Sequence, residues 1–326
     1  MDCLVTGGAG FIGSHLARRL LKDGNKVLAI DNMSTGNYQN IEDMLSEVGF
    51  RFHKLDLRDW VNFKLAAKEK DAIFHLAANM GGIGFISSIG ADIMRDNLQL
   101  NINFLEACRQ ADMEYALYAS SACIYPIGRQ TVAEAVPLKE EDALPAEPNE
   151  FYGWEKLATE KMCEAYNRDY GMKVRVLRYH NVFGPGEKYA GERGKAIVSL
   201  CRKAILYPEE RFIVWGDGRQ TRSFCYIDDA IDGTIKRMLS DYLMPINIGS
   251  DRLITISELA KIIIGISKKD IVIEPDLTRP QGVRGRNADL TLAKKVLGWE
   301  PKISLEEGIE LTYKWLARIL GQARSQ

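Results

Sequence analysis

The chain of 326 residues is long enough for one large domain or for two domains that pack closely together. Apolar residues make up 46% of it, and 43 Lys and Arg side chains nearly balance 44 Asp and Glu side chains. This balance argues against a surface that binds nucleic acid, because such surfaces usually carry an excess of basic residues. No apolar run reaches the roughly 18 residues that a membrane-spanning helix needs, so no membrane segment is predicted.

Six cysteines and four histidines are scattered along the chain. No two cysteines form a CxxC pair, and the first predicted strand begins with no signal peptide before it. These features predict reduced thiols in a cytoplasmic protein. The scattered histidines predict no metal site.

Short β-like runs alternate with helical patterns through the first half of the chain. Strands are predicted at residues 3–7, 26–31, 51–57, 72–78, 115–121 and 173–185, and helices at 14–24, 91–110 and 151–171. Strands that are separated by helices are typical of parallel pairing, because a parallel neighbour needs a long crossover connection. The pattern predicts an α/β fold with a doubly wound parallel (Rossmann) sheet.

The second half of the chain has a different pattern and predicts a second, smaller α/β substrate domain. Residues 185–219 are rich in Gly, Lys, Arg and Glu; a strand is predicted at 223–229 and helices at 230–240, 256–267 and 305–320. We expect residues 1–180, together with about 220–248, to form the cofactor domain. Residues of about 181–219 and 249–326 are expected to bind the substrate.

The segment TGGAGFIGS, residues 6–14, follows the first predicted strand and opens the first predicted helix. It contains the pattern GxGxxG, in which glycines let the backbone approach a pyrophosphate while the N–H groups of the helix N-terminus bind it. In this context the segment predicts a dinucleotide site rather than a plain tight turn. The predicted contacts are Gly7, Gly10, Phe11, Ile12 and Gly13.

Asp31 ends the second predicted strand. A carboxylate at this point accepts hydrogen bonds from both ribose hydroxyls of the adenosine half and repels a 2′-phosphate, so we expect NAD rather than NADP. Asp56, at the end of the third strand, is a predicted acceptor for the adenine amine. Further predicted cofactor contacts are Asn32, Ser34, Leu76, Ala77 and Ala78.

YGWEK places Tyr152 and Lys156 at i and i+4 on one face of a helix, where the two side chains are neighbours. An adjacent ammonium group and a positive nicotinamide ring are expected to lower the pKa of the phenol. The phenolate then removes a proton from a sugar hydroxyl while hydride leaves for NAD. Ser121, at the end of the fifth strand, is expected to bond the same oxygen. The alternative is an ordinary surface pair.

The TGGAGFIG turn, the SSxxxY strand end and YxxxK together resemble the extended short-chain dehydrogenase/reductase family. The resemblance covers nearly the whole chain, including residues 215–233, which are similar to the family's return into the cofactor domain. It implies an NAD-dependent enzyme that acts on a nucleotide sugar.

A closer resemblance, to the GDP-mannose 3,5-epimerase group of that family, lies in AANMGGIGF, SSACIYP, HNVFGP, GERGKA and VRGRN. It implies a GDP-sugar substrate, transient oxidation at C4, proton exchange at C3 and C5, and re-reduction at C4. It also implies that Cys123 and Lys195 are the acid/base pair. Gly194 stands where the group's pattern has a glutamate just before the lysine.

The chemistry of the two side chains agrees with this assignment. A ketone at C4 makes the hydrogens at C3 and C5 acidic, and inversion needs one group to remove a proton and another to deliver one on the opposite face. Cys123 follows Ser121 by two residues on a predicted extended segment, so both should face the sugar. The alternatives are a small buried hydrophobe for Cys123 and a solvated loop charge for Lys195.

The remaining substrate contacts are expected in glycine-rich and basic segments. Gly81 should lie against the hexose, Asn181 should bond the sugar or its phosphate, and Lys203 should bind the diphosphate or base. Either Arg219 or Gln220, and either Arg284 or Arg286, is expected to bind the diphosphate or the base. The arginines suit this role because a guanidinium can donate two hydrogen bonds to phosphate oxygens. His180 is expected to be a structural hydrogen-bonding group.

Residues 91–110 and 151–171 carry more apolar side chains than one core face needs. Proteins of the family that this chain resembles pair such helices across a two-fold axis as a four-helix bundle, so the resemblance implies a homodimer. Three alternatives to the 3,5-epimerase stay open. These are an NADPH-consuming epimerase/reductase acting on GDP-4-keto-6-deoxymannose, a 4-epimerase of another nucleotide sugar, and a redox-sensing module that binds the dinucleotide without chemistry. Asp31 argues against the first of them.

Overall fold

The structure is a computed structural model that describes residues 1–189, 191 and 194–324. Glu192 and Arg193, in the middle of the GERGKA segment, lie outside the described residues, whereas Gly194 and Lys195 lie within them.

The strands follow the predicted order with shorter bounds. They are β1 (Asp2–Thr6), β2 (Lys26–Asp31), β3 (Phe50–Lys54), β4 (Ala72–His75), β5 (Tyr115–Ser121), β6 (Val174–Tyr179), β7 (Val182–Phe183), β8 (Ile213–Trp215), β9 (Thr221–Arg222), β10 (Cys225–Tyr226), β11 (Ile246–Ile248), β12 (Ile254–Thr255), β13 (Glu274–Asp276) and β14 (Gly285–Arg286).

Seven of these strands form one sheet in the order β3-β2-β1-β4-β5-β6-β11, and every neighbouring pair in it is parallel. The central strands are buried along their length, as expected where helices cover both faces of a parallel sheet. The doubly wound parallel sheet predicted from the sequence is confirmed.

The helices are α1 (Phe11–Lys22), α2 (Trp60–Ala67), α3 (Ile83–Ile86), α4 (Gly90–Gln110), α5 (Phe151–Tyr170), α6 (Ala196–Leu206), α7 (Ile227–Met238), α8 (Ile256–Ser267), α9 (Thr291–Leu297) and α10 (Leu305–Arg324). The sequence analysis missed the short helices α2, α3 and α9, and it missed α6 inside a segment that is rich in charge and glycine. Across the described part of the chain, no helix has both the length and the apolar character to span a membrane.

The predicted strand at residues 173–185 is interrupted. β6 ends at Tyr179, and Asn181 adopts a left-handed conformation with φ of 40°, which is uncommon outside glycine. The Asn181 side chain donates a hydrogen bond to the carbonyl of Ser223 at 2.8 Å. Because of this turn, β7 leaves the large sheet and pairs with β10 instead.

A buried ion pair holds α5 against the carboxyl half of the sheet. Arg178 on β6 lies 2.7 Å from Glu160 on α5, and both side chains are about 5% exposed or less. Ser120 donates a short hydrogen bond of 2.5 Å to the same carboxylate. The pair therefore fixes α5 beside the end of β5, next to Ser121.

Replacing Arg178 by Met should lower the free energy of unfolding by about 3–5 kcal/mol, because it leaves the Glu160 carboxylate buried without its partner. The matched control is Arg168→Met on α5, the helix that carries Glu160; the ion pair of Arg168 with Asp169 is exposed and should contribute little. Urea unfolding measures both variants. Equal effects of the two substitutions would contradict the role assigned to the buried pair.

Candidate active site

One large cavity, of about 1080 Å³, opens at the carboxyl ends of β1, β2, β4, β5 and β6. Between β1 and β4 the order of the sheet reverses, because the chain continues from β1 to one side and from β4 to the other. Ligands of open parallel sheets bind beyond the strand ends at such a point.

The glycine turn brings backbone close to backbone at this edge. Gly7 has a φ of 69°, and a Cβ on Gly13 would lie 2.2 Å from the carbonyl oxygen of Gly7. A Cβ on Gly7 would lie 3.0 Å from the nitrogen of Ala77, after β4. Helix α1 begins directly after Gly10 with no side chain capping its first N–H groups, which leaves them available for a pyrophosphate.

Asp31 sits at the end of β2 with its carboxylate largely buried. The carboxylate accepts hydrogen bonds from the backbone N–H groups of Ala9, at 3.2 Å, and Met33, at 2.8 Å. Burial raises the pKa of Asp31, and these backbone hydrogen bonds oppose the rise. A Cβ on Gly36 would lie 2.8 Å from Asp31 Oδ1, so a side chain at position 36 would collide with the carboxylate.

In the part of the cavity near the end of β3, Arg58 donates hydrogen bonds of 2.6 to 3.1 Å to the carboxylate of Asp56. The guanidinium holds the pKa of Asp56 below its usual range. Asn32 also donates to Asp56, at 3.4 Å. Arg58 lines the cavity, and the sequence analysis did not identify it. The other predicted cofactor residues also line the cavity: Phe11, Ile12, Ser34, Leu76, Ala77 and Ala78.

Tyr152 and Lys156 are buried, with 5% and 3% of their surface exposed, so they are not an ordinary surface pair. The Lys156 ammonium donates to the carbonyl of Ala119 at 3.1 Å and lies 5.6 Å from the centroid of the Tyr152 ring. Both residues line the cavity with Ser121.

In the polypeptide by itself the pKa of Tyr152 is raised, and the lowering expected from the ammonium group together with the nicotinamide ring stays a prediction for the complex with NAD. Burial raises the pKa of Tyr152 well above its usual value, the charges of Glu155 and Cys123 add to this, and the hydrogen bond with Ser121 opposes it. Burial also lowers the pKa of Lys156. Desolvation is therefore the largest influence on the pKa of both side chains.

Cys123 does not lie on an extended segment, as the sequence analysis expected. β5 ends at Ser121, whose hydroxyl accepts the N–H of Cys123 at 3.2 Å and caps a short 3₁₀ turn, Ala122–Ile124. Ser121 and Cys123 nevertheless both line the cavity. The Cys123 thiol is partly exposed, and its sulfur lies 3.6 Å from Nη1 of Arg286, which Gln130 holds in place at 2.6 Å.

Lys195 directly precedes α6, and its side chain reaches the same cavity. Its Nζ lies 3.3 Å from Glu187 Oε1; the Lys195 side chain is 35% exposed and that of Glu187 is 5% exposed. Lys195 is therefore engaged at the cavity wall and is not simply a solvated loop charge. Glu187 was not identified from the sequence, because nothing in GPGEKY distinguishes it from a surface residue.

The remaining candidates for substrate binding differ in whether they line the cavity. Gly81, Asn181, Lys203, Gln220 and Arg286 line the cavity. Arg219 and Arg284 are not among its lining residues. Arg284 instead pairs with Asp217 at 2.8 Å near the surface.

His180 is fully buried, and its ring lies 3.0 Å from the side chain of Asn247; burial lowers its pKa to about 3, as fits a structural group.

Arg222 lines the cavity and was also missed. It donates hydrogen bonds to the carbonyls of Thr221 and Gln281, and within the described residues it has no carboxylate partner. Burial lowers its pKa to about 9, and the charge of Arg286 adds to this. The signal available in the sequence was its position in TRSF, inside the segment that resembles the family's return to the cofactor domain.

Comparison with known proteins identifies the family to which the chain belongs. Residues 3–249 match the model of the NAD dependent epimerase/dehydratase family. The chain belongs to this family. GDP-mannose 3,5-epimerase of Arabidopsis thaliana is 44% identical over 312 residues, which are 96% of this chain and 81% of that protein. These matches confirm the family predicted from the sequence motifs.

Two solved epimerases of nucleotide sugars share the fold. UDP-glucose 4-epimerase of Thermotoga maritima, with UDP-glucose, superposes with a TM-score of 0.87 at 30% identity and covers 98% of this chain and 100% of that one. UDP-glucuronic acid 4-epimerase of Bacillus cereus, with UDP-glucuronic acid and NAD, has a TM-score of 0.87 at 27% identity, with the same coverage.

NAD is the cofactor of this NAD dependent epimerase/dehydratase family, and the residues present fit it. The turn around Gly13 leaves a cradle that a side chain would fill, the uncapped start of α1 faces the cavity, and the Asp31 carboxylate lies where it can accept the ribose hydroxyls.

Gly13→Ala should weaken NAD binding at least about tenfold, or roughly 1.4 kcal/mol, because the added methyl collides with the Gly7 carbonyl and pushes the turn out of shape. The matched control is Gly265→Ala on α8, where an added Cβ meets nothing within 4 Å. Calorimetric titration with NAD measures both. Unchanged affinity in the folded Gly13 variant would refute the assigned cradle.

Proposed function

We propose that this protein is a GDP-mannose 3,5-epimerase. One observation carries the proposal: Cys123 and Lys195 line the same cavity as Tyr152 and Lys156. A dehydrogenase or a 4-epimerase needs only the tyrosine and its helpers, whereas inversion at C3 or C5 needs two further groups that exchange protons with carbon. The relative in Arabidopsis thaliana that carries this name supports the substrate assignment.

When bound, NAD supplies reversible hydride transfer at C4 of the sugar. The chain's own part is to move the proton of the C4 hydroxyl, and Tyr152 is its acceptor. The Ser121 hydroxyl bonds the phenol oxygen, and Lys156 places its ammonium 5.6 Å from the ring centroid, where it stabilises the phenolate. The same phenol returns the proton when C4 is reduced again.

Proton exchange at carbon falls to the second pair. The Cys123 sulfur, as thiolate, removes the proton from the carbon next to the C4 ketone, and that proton ends on sulfur. The Lys195 ammonium delivers its proton to the opposite face of the same carbon and is left as the neutral amine. Arg286, 3.6 Å from the sulfur, stabilises the thiolate by charge-assisted contact.

The basic groups of the cavity are assigned to the diphosphate. Arg222 and Lys203 line the cavity, and both donate hydrogen bonds to backbone carbonyls. Within the described residues Arg222 has no carboxylate partner, whereas the charges of Glu210 and Asp276 act on Lys203. A buried positive charge of this kind favours an anionic ligand. Gly81, Asn181 and Gln220 are assigned to the sugar and its nucleotide.

The test is incubation of the purified holoenzyme with GDP-mannose in heavy water, followed by NMR of the products. Deuterium should enter C3 and C5, with no net consumption of NAD or NADPH. A 4-epimerase would incorporate none at these carbons. Net consumption of NADPH would favour the epimerase/reductase alternative, which the carboxylate of Asp31 disfavours.

Two variants separate the two halves of the chemistry. Cys123→Ala should abolish deuterium entry and formation of isomers while transient reduction of NAD persists, because C4 oxidation does not use the thiol. Tyr152→Phe should abolish both. Turnover that survives in the phenylalanine variant would remove Tyr152 from the mechanism, and full deuterium entry in the alanine variant would remove Cys123.

We also propose that the protein is a cytoplasmic homodimer. All six cysteines are free thiols, which supports a reducing compartment. α4 and α5 pack side by side and leave apolar side chains exposed on their outer faces, among them Ile102, Phe151 and Trp154. Pairing of these faces across a two-fold axis would form a four-helix bundle and bury them.

Trp154→Glu should weaken the dimer at least about 30-fold, the ratio that corresponds to roughly 2 kcal/mol, because it places a charge in the apolar centre of the interface. The matched control is Val272→Glu, at an exposed site far along the chain from α4 and α5. Sedimentation velocity measures the mass. A monomeric wild-type protein would rule out the bundle.

A further inference from the structure

We propose that Glu187 is a positioning residue for Lys195: its carboxylate holds the ammonium at the cavity wall and so aims the proton that Lys195 delivers. The inference rests on the proposed function, in which Lys195 is the acid. It concerns a residue that the motifs did not reveal, since the related pattern has its glutamate directly before the lysine and this chain has Gly194 there.

Lys195 and Glu187 form an ion pair in which the Glu187 carboxylate is buried. Lys195 Nζ lies 3.3 Å from Glu187 Oε1, and both residues line the cavity. Within the described residues, neither carboxylate oxygen of Glu187 has a hydrogen-bond partner of good geometry. A buried carboxylate without compensation is costly, so attraction to the Lys195 ammonium offsets part of the cost of burying Glu187.

The electrostatics of Glu187 depend on Lys195. Burial raises the pKa of Glu187, and the nearby charge of Lys195 opposes the rise. Lys195 needs such an anchor, because its long side chain has many rotamers and only its backbone is fixed, through the bond from the Ser199 N–H to the Lys195 carbonyl at the start of α6.

Position 194 is free to carry the carboxylate instead. A Cβ on Gly194 would meet the carbonyl oxygens of Gly191 and Lys188 at 3.5 Å, which is ordinary contact, and Gly194 is not among the glycines with a left-handed φ. The structure therefore leaves room for a Cβ directly before Lys195. The present chain places its carboxylate earlier in the same loop, at Glu187.

The test follows two steps of the reaction separately in the holoenzyme with GDP-mannose in heavy water. Glu187→Gln keeps the shape and removes the charge, so deuterium entry at C3 and C5 should fall roughly 10- to 100-fold while transient NAD reduction stays within about twofold. Glu187→Gln combined with Gly194→Glu should recover most of the lost exchange. Glu141→Gln, an exposed carboxylate on the surface, is the matched control and should behave as wild type.

Other outcomes overturn the inference. Wild-type exchange in folded Glu187→Gln would show that Lys195 needs no anchor. A parallel fall of NAD reduction and exchange, together with a lower melting temperature and no recovery in the double variant, would show that Glu187 is only structural.

A measurement without substrate separates this inference from the proposed function. Acetic anhydride should acetylate Lys195 faster in Glu187→Gln than in wild type, because the amine is released from its partner; mass spectrometry of the peptide reports the rate. An unchanged rate overturns the inference. Absence of deuterium exchange in wild type, in contrast, overturns the proposed function while the acetylation result still decides the role of Glu187.

Discussion

The parallel run of all seven strands in the large sheet is the constraint on which the cavity depends. Because every neighbouring pair points the same way, the strands deliver their carboxyl ends to one edge. The chain turns to opposite sides after β1 and β4, which opens a crevice there. Asp31 and Tyr152, far apart in sequence, line one cavity for this reason.

Burial sets the electrostatics of that cavity more strongly than the pairing of charges does. It raises the pKa of Tyr152 and Glu187 and lowers that of Lys156, so burial makes the charged form of each group more costly. Charges act strongly on one another in such surroundings, because little water screens them. Small displacements of Lys156 or of Arg286 would therefore change the proton chemistry that we propose.

Much of the candidate site was predictable because its parts depend on local spacing. The glycine turn, Asp31 at a strand end and the Tyr152–Lys156 pair on one helix face each follow from a short stretch of chain. Glu187 and Arg222 were missed because their importance comes from burial in the cavity, which their sequence neighbours do not indicate. Cys123 lines the cavity as expected, but it does so from a turn that Ser121 caps and not from an extended strand.

The sequence by itself determined the parallel α/β fold, the cofactor turn and the family, because hydrophobic periodicity and the backbone freedom of glycine act over a few residues. Only the tertiary structure decided that Arg286 reaches Cys123 while Arg284 turns to Asp217. Likewise, only the path of the loop before α6 brings the Glu187 carboxylate to Lys195. These outcomes depend on which distant segment comes to lie alongside, and that is a property of the packed chain rather than of any one stretch of it.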